Sequence, residues 1–188
     1  SLNMDLVVRV QNLPKLGETI LGDAFYENPG GKGANQAVAA ARLGAHVSMI
    51  GKIGKDAYGS SLLENLGKND IDTDGIIISD VITGRAVIEV DSIGNNNIVA
   101  IPGSNMELTK EDIDEKREII DKADIVILQQ EIPISTVEYV LEQAKKSACC
   151  SQSKAKLELV TIDPICGMTV AEDSERYFDF EAKRYLFC

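Results

Sequence analysis

The sequence predicts an α/β fold built on a parallel sheet, and three observations carry that prediction. Strand-like apolar runs alternate with segments of helical period along most of the chain. The run Ala123-Asp124-Ile125-Val126-Ile127-Leu128 is almost continuously apolar, as a strand covered on both faces requires. A glycine-rich turn ending in Gly30-Gly31-Lys32-Gly33 runs straight into an alanine-rich segment, which is a common way for an α/β protein to pass from strand to helix at a ligand.

Composition sets outer limits. The chain has 188 residues, enough for one ordinary domain or a domain with an appendage. Its 44% hydrophobic and 26% charged residues are those of a globular protein. No apolar run nears the roughly 20 residues that cross a bilayer, and no basic-then-apolar leader opens the sequence, so a cytoplasmic protein without a membrane partner is expected. The net charge of −11 repels phosphate backbones, which argues against nucleic acid as a partner.

The elements follow in order. Ser1 to Val10 holds a β-branched strand in which Asn3 and Asp5 share parity and project to one side, unless they form a turn before it. Glu18 to Asn28 reads as a strand or hairpin arm leading to the glycine turn. A helix is expected from about Lys32 to Leu43, stopped by Gly44, and its unpaired N–H groups suit an oxygen-rich ligand. The turn is neither a phosphate loop, since Lys32 is followed by Gly33 and not a hydroxyl residue, nor a dinucleotide fingerprint, since Gln36 stands where the last glycine belongs. A tightly packed turn that binds nothing stays open as an alternative.

Ala45 to Gly51 alternates as a strand, Gly59 to Lys68 reads as a helix and Gly75 to Ser79 as a short strand. His46, the only histidine, begins a strand far from any partner cluster and is read as structural. Thr83 to Asp91 and Ile98 to Ile101 flank a polar turn, giving a hairpin inserted into the α/β alternation that serves as a lid, an oligomer edge or both. Thr109 caps a helix reaching about Lys122. The buried run then ends in Gln129-Gln130-Glu131, placing a carboxylate at the sheet edge where open α/β proteins bind ligands. Ser135 to Lys146 is an amphipathic helix, and Ser147 to Lys154 is linker-like. Four cysteines, at 149, 150, 166 and 188, are confined to the last quarter, a pattern that suits thiols or a metal site and not a disulfide framework.

Four motifs in this order, Asn3-Met4-Asp5, Gly17-Glu18-Thr19, Gly30 to Ala41 and Gly51-Lys52-Ile53-Gly54-Lys55-Asp56-Ala57-Tyr58-Gly59, resemble the amino-terminal half of the ribokinases in the PfkB sugar-kinase family. The resemblance covers about residues 1–148. It implies a Rossmann-like ribokinase fold, present in part, with a β-sheet lid and a homodimer through that lid. It also implies ATP- and Mg2+-dependent phosphorylation of the ribose 5-hydroxyl. The family's sugar-binding positions fall on Asn3, Asp5, Gly31, Lys32, Asn35 and Glu131. Ionised carboxylates accept from sugar hydroxyls while asparagines both donate and accept, which suits those roles. The family's Gly-Ala-Gly-Asp motif, with its catalytic base, and its nucleotide-binding half have no counterpart in this sequence, and its first core strand precedes Asn3. No catalytic residue is therefore assigned, and the polypeptide alone is expected not to phosphorylate ribose.

Asp163-Pro164-Ile165-Cys166-Gly167-Met168-Thr169-Val170 and the stretch from Arg176 to Cys188 resemble a YHS domain, a short module associated with heavy-metal handling. This implies a truncated β-hairpin segment over about 157–188, after a linker at 149–156, with Cys166 and Cys188 as candidate zinc or copper ligands. Two thiolates do not complete a tetrahedral site, so a hairpin with unliganded thiols stays open. Three functional classes follow: a sugar kinase by descent, a metal-binding protein, and a regulatory or binding remnant that pairs with a complete kinase. The unprotected edges of a buried strand such as 124–128 also lead to an expectation of self-association.

Overall fold

The computed structural model describes residues 1–150 and 184–187. Two four-stranded sheets organise them. The first, a lid, has strand order β2-β1-β5-β6, formed by β1 (Asn3–Val10), β2 (Gly22–Gly30), β5 (Gly84–Val90) and β6 (Asn96–Ile101). Within it β1 runs antiparallel to β2 and parallel to β5, while β5 and β6 form the inserted antiparallel hairpin. The second, the core, has order β4-β3-β8-β7 and is parallel throughout. Its strands are β3 (His46–Gly54), β4 (Asp72–Ser79), β7 (Ile125–Ile127) and β8 (Arg184–Phe187).

Pleat alternation in β3 explains how the core is covered. Val47, Met49 and Ile53 share one face and join Leu2 with Ala34 and Ala37 of helix α1 (Lys32–Arg42) and Leu62 and Leu66 of helix α2 (Ala57–Lys68). Ile50 points the other way, into Ile113 of α3 (Lys110–Glu115), Ile120 of α4 (Arg117–Lys122) and Val140 of α5 (Ile134–Cys150). The small residues that mark α1 in the sequence are its buried face, Gly33, Ala34 and Ala37, and let its backbone lie close to β3.

Some elements differ from the expectations. The helix expected from Thr109 to Lys122 is two, breaking at Lys116, although Thr109 caps it as expected, in a reciprocal box with Asp112. The strand 123–128 contracts to Ile125–Ile127, and α5 extends through Cys150, into the stretch read as a linker. Arg184–Phe187, within the segment compared with a metal module, pairs in parallel with β3 and β7. Cys166 and Cys188 lie outside the described residues.

Asp56 ties lid to core. Its carboxylate caps α2 by accepting from the Gly59 N–H at 2.8 Å. It also accepts from the Thr83 N–H at 2.9 Å and hydroxyl at 2.6 Å, just before β5, and faces Arg85 of β5 at 3.4 Å. Burial acts to raise its pKa, but the hydrogen bonds from Thr83 and Gly59 and the Arg85 charge outweigh it and hold the group at about 2. A carboxylate whose folded pKa lies below its ordinary value contributes stability that is complete above pH 3.8 and lost as pH falls toward about 2. Asp56→Ala is expected to cost roughly 1–3 kcal/mol in urea unfolding at neutral pH. The deficit relative to the unsubstituted chain should narrow in the same titration between pH 4 and 2.

Candidate functional site

The site is built from the glycine corner outward. Gly30 ends β2 in register with Asn3, and a Cβ there would stand 2.3 Å from an Asp5 carboxylate oxygen. Gly31 follows with φ +94°, and a Cβ on it would lie 2.6 Å from the Ser1 carbonyl oxygen. Only glycine meets both demands, a left-handed backbone and contact with another backbone. The corner therefore drives β2 of the lid directly into α1 of the core. Part of the open helix start is already engaged, since the Ala34 N–H donates to the Ser1 carbonyl at 3.1 Å.

Lys32 and Glu131 meet across the site. Glu131 comes just after β7, beyond the carboxyl end of the core sheet, and accepts from the Lys32 ammonium through one oxygen and from the Ser1 hydroxyl through the other. Asp5 lies within electrostatic reach of both. Its half-burial and the neighbouring Glu131 charge push its pKa up, with Lys32 opposing. Burial also acts to raise Glu131, but the hydrogen bonds from Lys32 and Ser1 and the Lys32 charge bring it down. Two carboxylates that face one lysine are thus driven apart in acidity, with Glu131 the more firmly ionised.

Asn3 is positioned by a residue that sequence reasoning missed. Asn105, buried in a 3-10 turn (Gly103–Glu107), turns its Nδ2 toward the Asn3 side-chain oxygen at 2.8 Å and the Pro102 and Leu2 carbonyls at 2.9 and 3.1 Å. Its Oδ1 accepts from the Leu2 N–H at 2.8 Å. Asn35 stands on the first turn of α1, exposed, its N–H bonded to the Gly31 carbonyl at 2.8 Å. Neither Asn35 nor Asp5 spends its side chain on a hydrogen bond among the described residues. Gln129 was also overlooked. It is buried, donates to Gln36 and leaves its Oε1 without a hydrogen-bond partner among the described residues. The signal for it was present, because it is the first polar residue after an apolar run.

The glycine corner, Asn3, Asp5, Lys32 and Glu131 thus gather at the carboxyl end of the parallel strands, with Asn35 one helical turn away. A hollow of about 590 Å³ lies at the opposite, amino end of β3 and β4, lined by His46, Asp70, Asp72, Asp74 and Lys122 among others. His46 accordingly takes no part in the cluster.

The electrostatic arrangement is testable without a ligand. Lys32→Met removes the shared counter-charge, so the pKa values of both Asp5 and Glu131 are expected to rise, as followed by carboxyl-carbon NMR titration. Unchanged values would mean that the lysine does not govern the pair.

Comparison with known proteins gives this geometry a context. Residues 1–166 match the pfkB family of carbohydrate kinases. Over 141 residues the chain is 49% identical to a ribokinase of Bacillus subtilis, covering 74% of this chain and 48% of that one. It is 40% identical over 162 residues to a ribokinase of Mus musculus, covering 85% and 50% of the two chains. The structure of Arabidopsis thaliana ribokinase complexed with ribose and ATP superposes with a TM-score of 0.73 at 33% identity, covering 88% of this chain and 52% of that one. The chain thus spans about half the length of the relatives it matches. With two ordered sheets, a glycine corner between them and this likeness over most of its length, the chain belongs to the pfkB family of carbohydrate kinases.

Proposed function

We propose that Asn3, Asp5, Gly31, Lys32, Asn35 and Glu131 hold a monosaccharide, ribose or a close relative, as the acceptor side of an ATP-dependent sugar kinase. The observation that supports this most is the convergence of Asp5, Lys32 and Glu131 at the carboxyl edge of the sheet. A sugar presents a ring of hydroxyls that are both donors and acceptors. Ionised Glu131 and Asp5 accept from them, Lys32 donates, and Asn35 does either. Glycine at 30 keeps side-chain bulk off the Asp5 carboxylate. A sugar lacking one hydroxyl would leave a partly buried carboxylate unpaired, which is the physical basis for selectivity.

ATP and Mg2+ are the cosubstrate and metal that the family implies. Among the described residues no group of three or more His, Cys, Asp or Glu side chains is arranged to hold a metal ion. The reading assigns to this part of the chain the binding and orienting of the sugar. The lid sheet supports a second part of the proposal, a homodimer. Tyr26, Val7, Ile88 and Ile98 stand in register across all four strands, an apolar row reaching both edges. Tyr26 and Ile98 are 45% and 57% exposed, so much of the row is still to be covered. The metal-module reading of 157–188 rests on its sequence alone, through Cys166 and Cys188, and a zinc or copper(I) titration of the Cys166→Ser chain would test it.

Calorimetry with ribose tests the sugar reading. Ribose is expected to bind, and Asp5→Ala to weaken it by about 10- to 100-fold, the range for losing a hydrogen bond to a charged group. Absence of ribose heat in the folded, unsubstituted chain would overturn it. Ile98→Asp is expected to shift sedimentation from dimer to monomer while leaving circular dichroism unchanged.

A further inference from the structure

The backbone fixes which way the Asn105 amide faces, and that in turn fixes which end of the Asn3 amide is left for a ligand. The Leu2 N–H donates to the Asn105 Oδ1 at 2.8 Å, so that end of the amide is an acceptor. The other end, Nδ2, is faced by three oxygens, the Asn3 Oδ1 at 2.8 Å and the Pro102 and Leu2 carbonyls at 2.9 and 3.1 Å. Reversing the Asn105 amide would set an N–H against an N–H and an oxygen against carbonyl oxygens, a costly arrangement at a buried position. Nδ2 is therefore the donor, and the Asn3 atom that it meets is the side-chain oxygen.

The surroundings hold this arrangement. The turn that carries Asn105 is pinned to the core: the Ser104 N–H donates to the Ile82 carbonyl at 2.8 Å, its hydroxyl to the Lys52 carbonyl at 3.1 Å, and the Lys52 ammonium to the Glu107 carbonyl at 2.8 Å. Gly84, the β5 residue in register with Asn3, leaves room for the contact, since a Cβ on it would lie 2.2 Å from both the Asn105 Nδ2 and the Asn3 Oδ1. On the other side of β1, Asn3 is in register with Gly30, so its direct neighbours on both flanking strands are glycines.

We propose that Asn105 is a positioning residue that makes Asn3 a hydrogen-bond donor toward the sugar, a role that rests on the sugar reading and narrows it. Asn3 and Asp5 have the same parity on β1 and so share a face of the lid. A planar amide whose oxygen is engaged by Asn105 turns its NH2 to the other side, and that end is the one a ligand meets. The site then reads one oxygen of the sugar as an acceptor, beside Asp5 and Glu131, which when ionised only accept. An asparagine free to rotate would suit either polarity, and discrimination at that oxygen would be lost.

NMR on the ligand-free, full-length chain with labelled asparagine reads the orientation directly, because a coupling across a hydrogen bond runs from the donor nitrogen to the acceptor's carbonyl carbon. It is expected from the Asn105 Nδ2 to the Asn3 Cγ. A coupling in the opposite sense, or Asn105 side-chain amide protons that exchange as fast as those of free asparagine, would overturn the proposal. Calorimetry with ribose adds a double-mutant cycle. Asn3→Ala is expected to weaken ribose by about tenfold or more in the otherwise unsubstituted chain, and by less than about threefold once Asn105→Ala has freed the amide. Equal losses in the two backgrounds would refute a positioning role, since a contribution of Asn105 to the fold alone adds independently. If Asn105→Ala does not fold, the coupling in the unsubstituted chain decides. Absence of ribose heat together with the expected coupling would overturn the sugar reading and leave the orientation set by Asn105 standing; ribose heat with the reverse coupling would do the opposite.

Discussion

Everything at the site depends on a backbone contact that only glycine permits. At Gly31 the chain turns with φ +94° while pressed against the Ser1 carbonyl. That contact lets a strand of one sheet become a helix on another within a single residue. Asp5 arrives from the lid, Lys32 from the helix and Glu131 from the far side of the core. They meet because the corner leaves no slack between their elements. An alanine at 31 would face both an unfavourable backbone region and a collision with main-chain atoms, neither of which relaxes by rotating a side chain.

Around that corner the protein uses charge economically. Three ionisable groups, two negative and one positive, are drawn together in partial burial, where opposite charges strengthen and like charges separate in acidity. The lysine spans the cluster by pairing with Glu131, while Asp5 keeps its oxygens uncommitted to the chain. A second carboxylate, Asp56, has the opposite arrangement. Its acceptor capacity is taken up by Thr83, Gly59 and Arg85, and it serves to fasten lid and core. The contrast separates a carboxylate placed for structure from one left available to a ligand.

Much of this was legible in the sequence, for identifiable reasons. The alternation of strand and helix, the apolar run at 123–128, the lid hairpin and the small-residue face of α1 all follow from periodicity and side-chain size. They survive into the structure with shifts of a few residues at their ends. The glycine corner was visible because its demand falls on one residue type. Other features had no local signal. Asn105 lies in an unremarkable stretch, and its importance comes from where Leu2 and Asn3 run in space. The break at Lys116 interrupts a pattern that reads as one helix. The place of Arg184–Phe187 between β3 and β7 is a choice among long-range pairings, which composition does not express.

The Asn105 clasp has a mechanical consequence. It fastens one end of β1, at Leu2 and Asn3, while the other end of that eight-residue strand reaches Val10. At about 3.3 Å per residue the lid is a lever of roughly 25 Å with its fulcrum at the site. A tilt of a few degrees at the fulcrum sweeps the tip through ångströms while scarcely displacing Asp5, two residues from the pivot. Crowding at the tip and the geometry of Asp5 at the base are thereby mechanically insulated from each other.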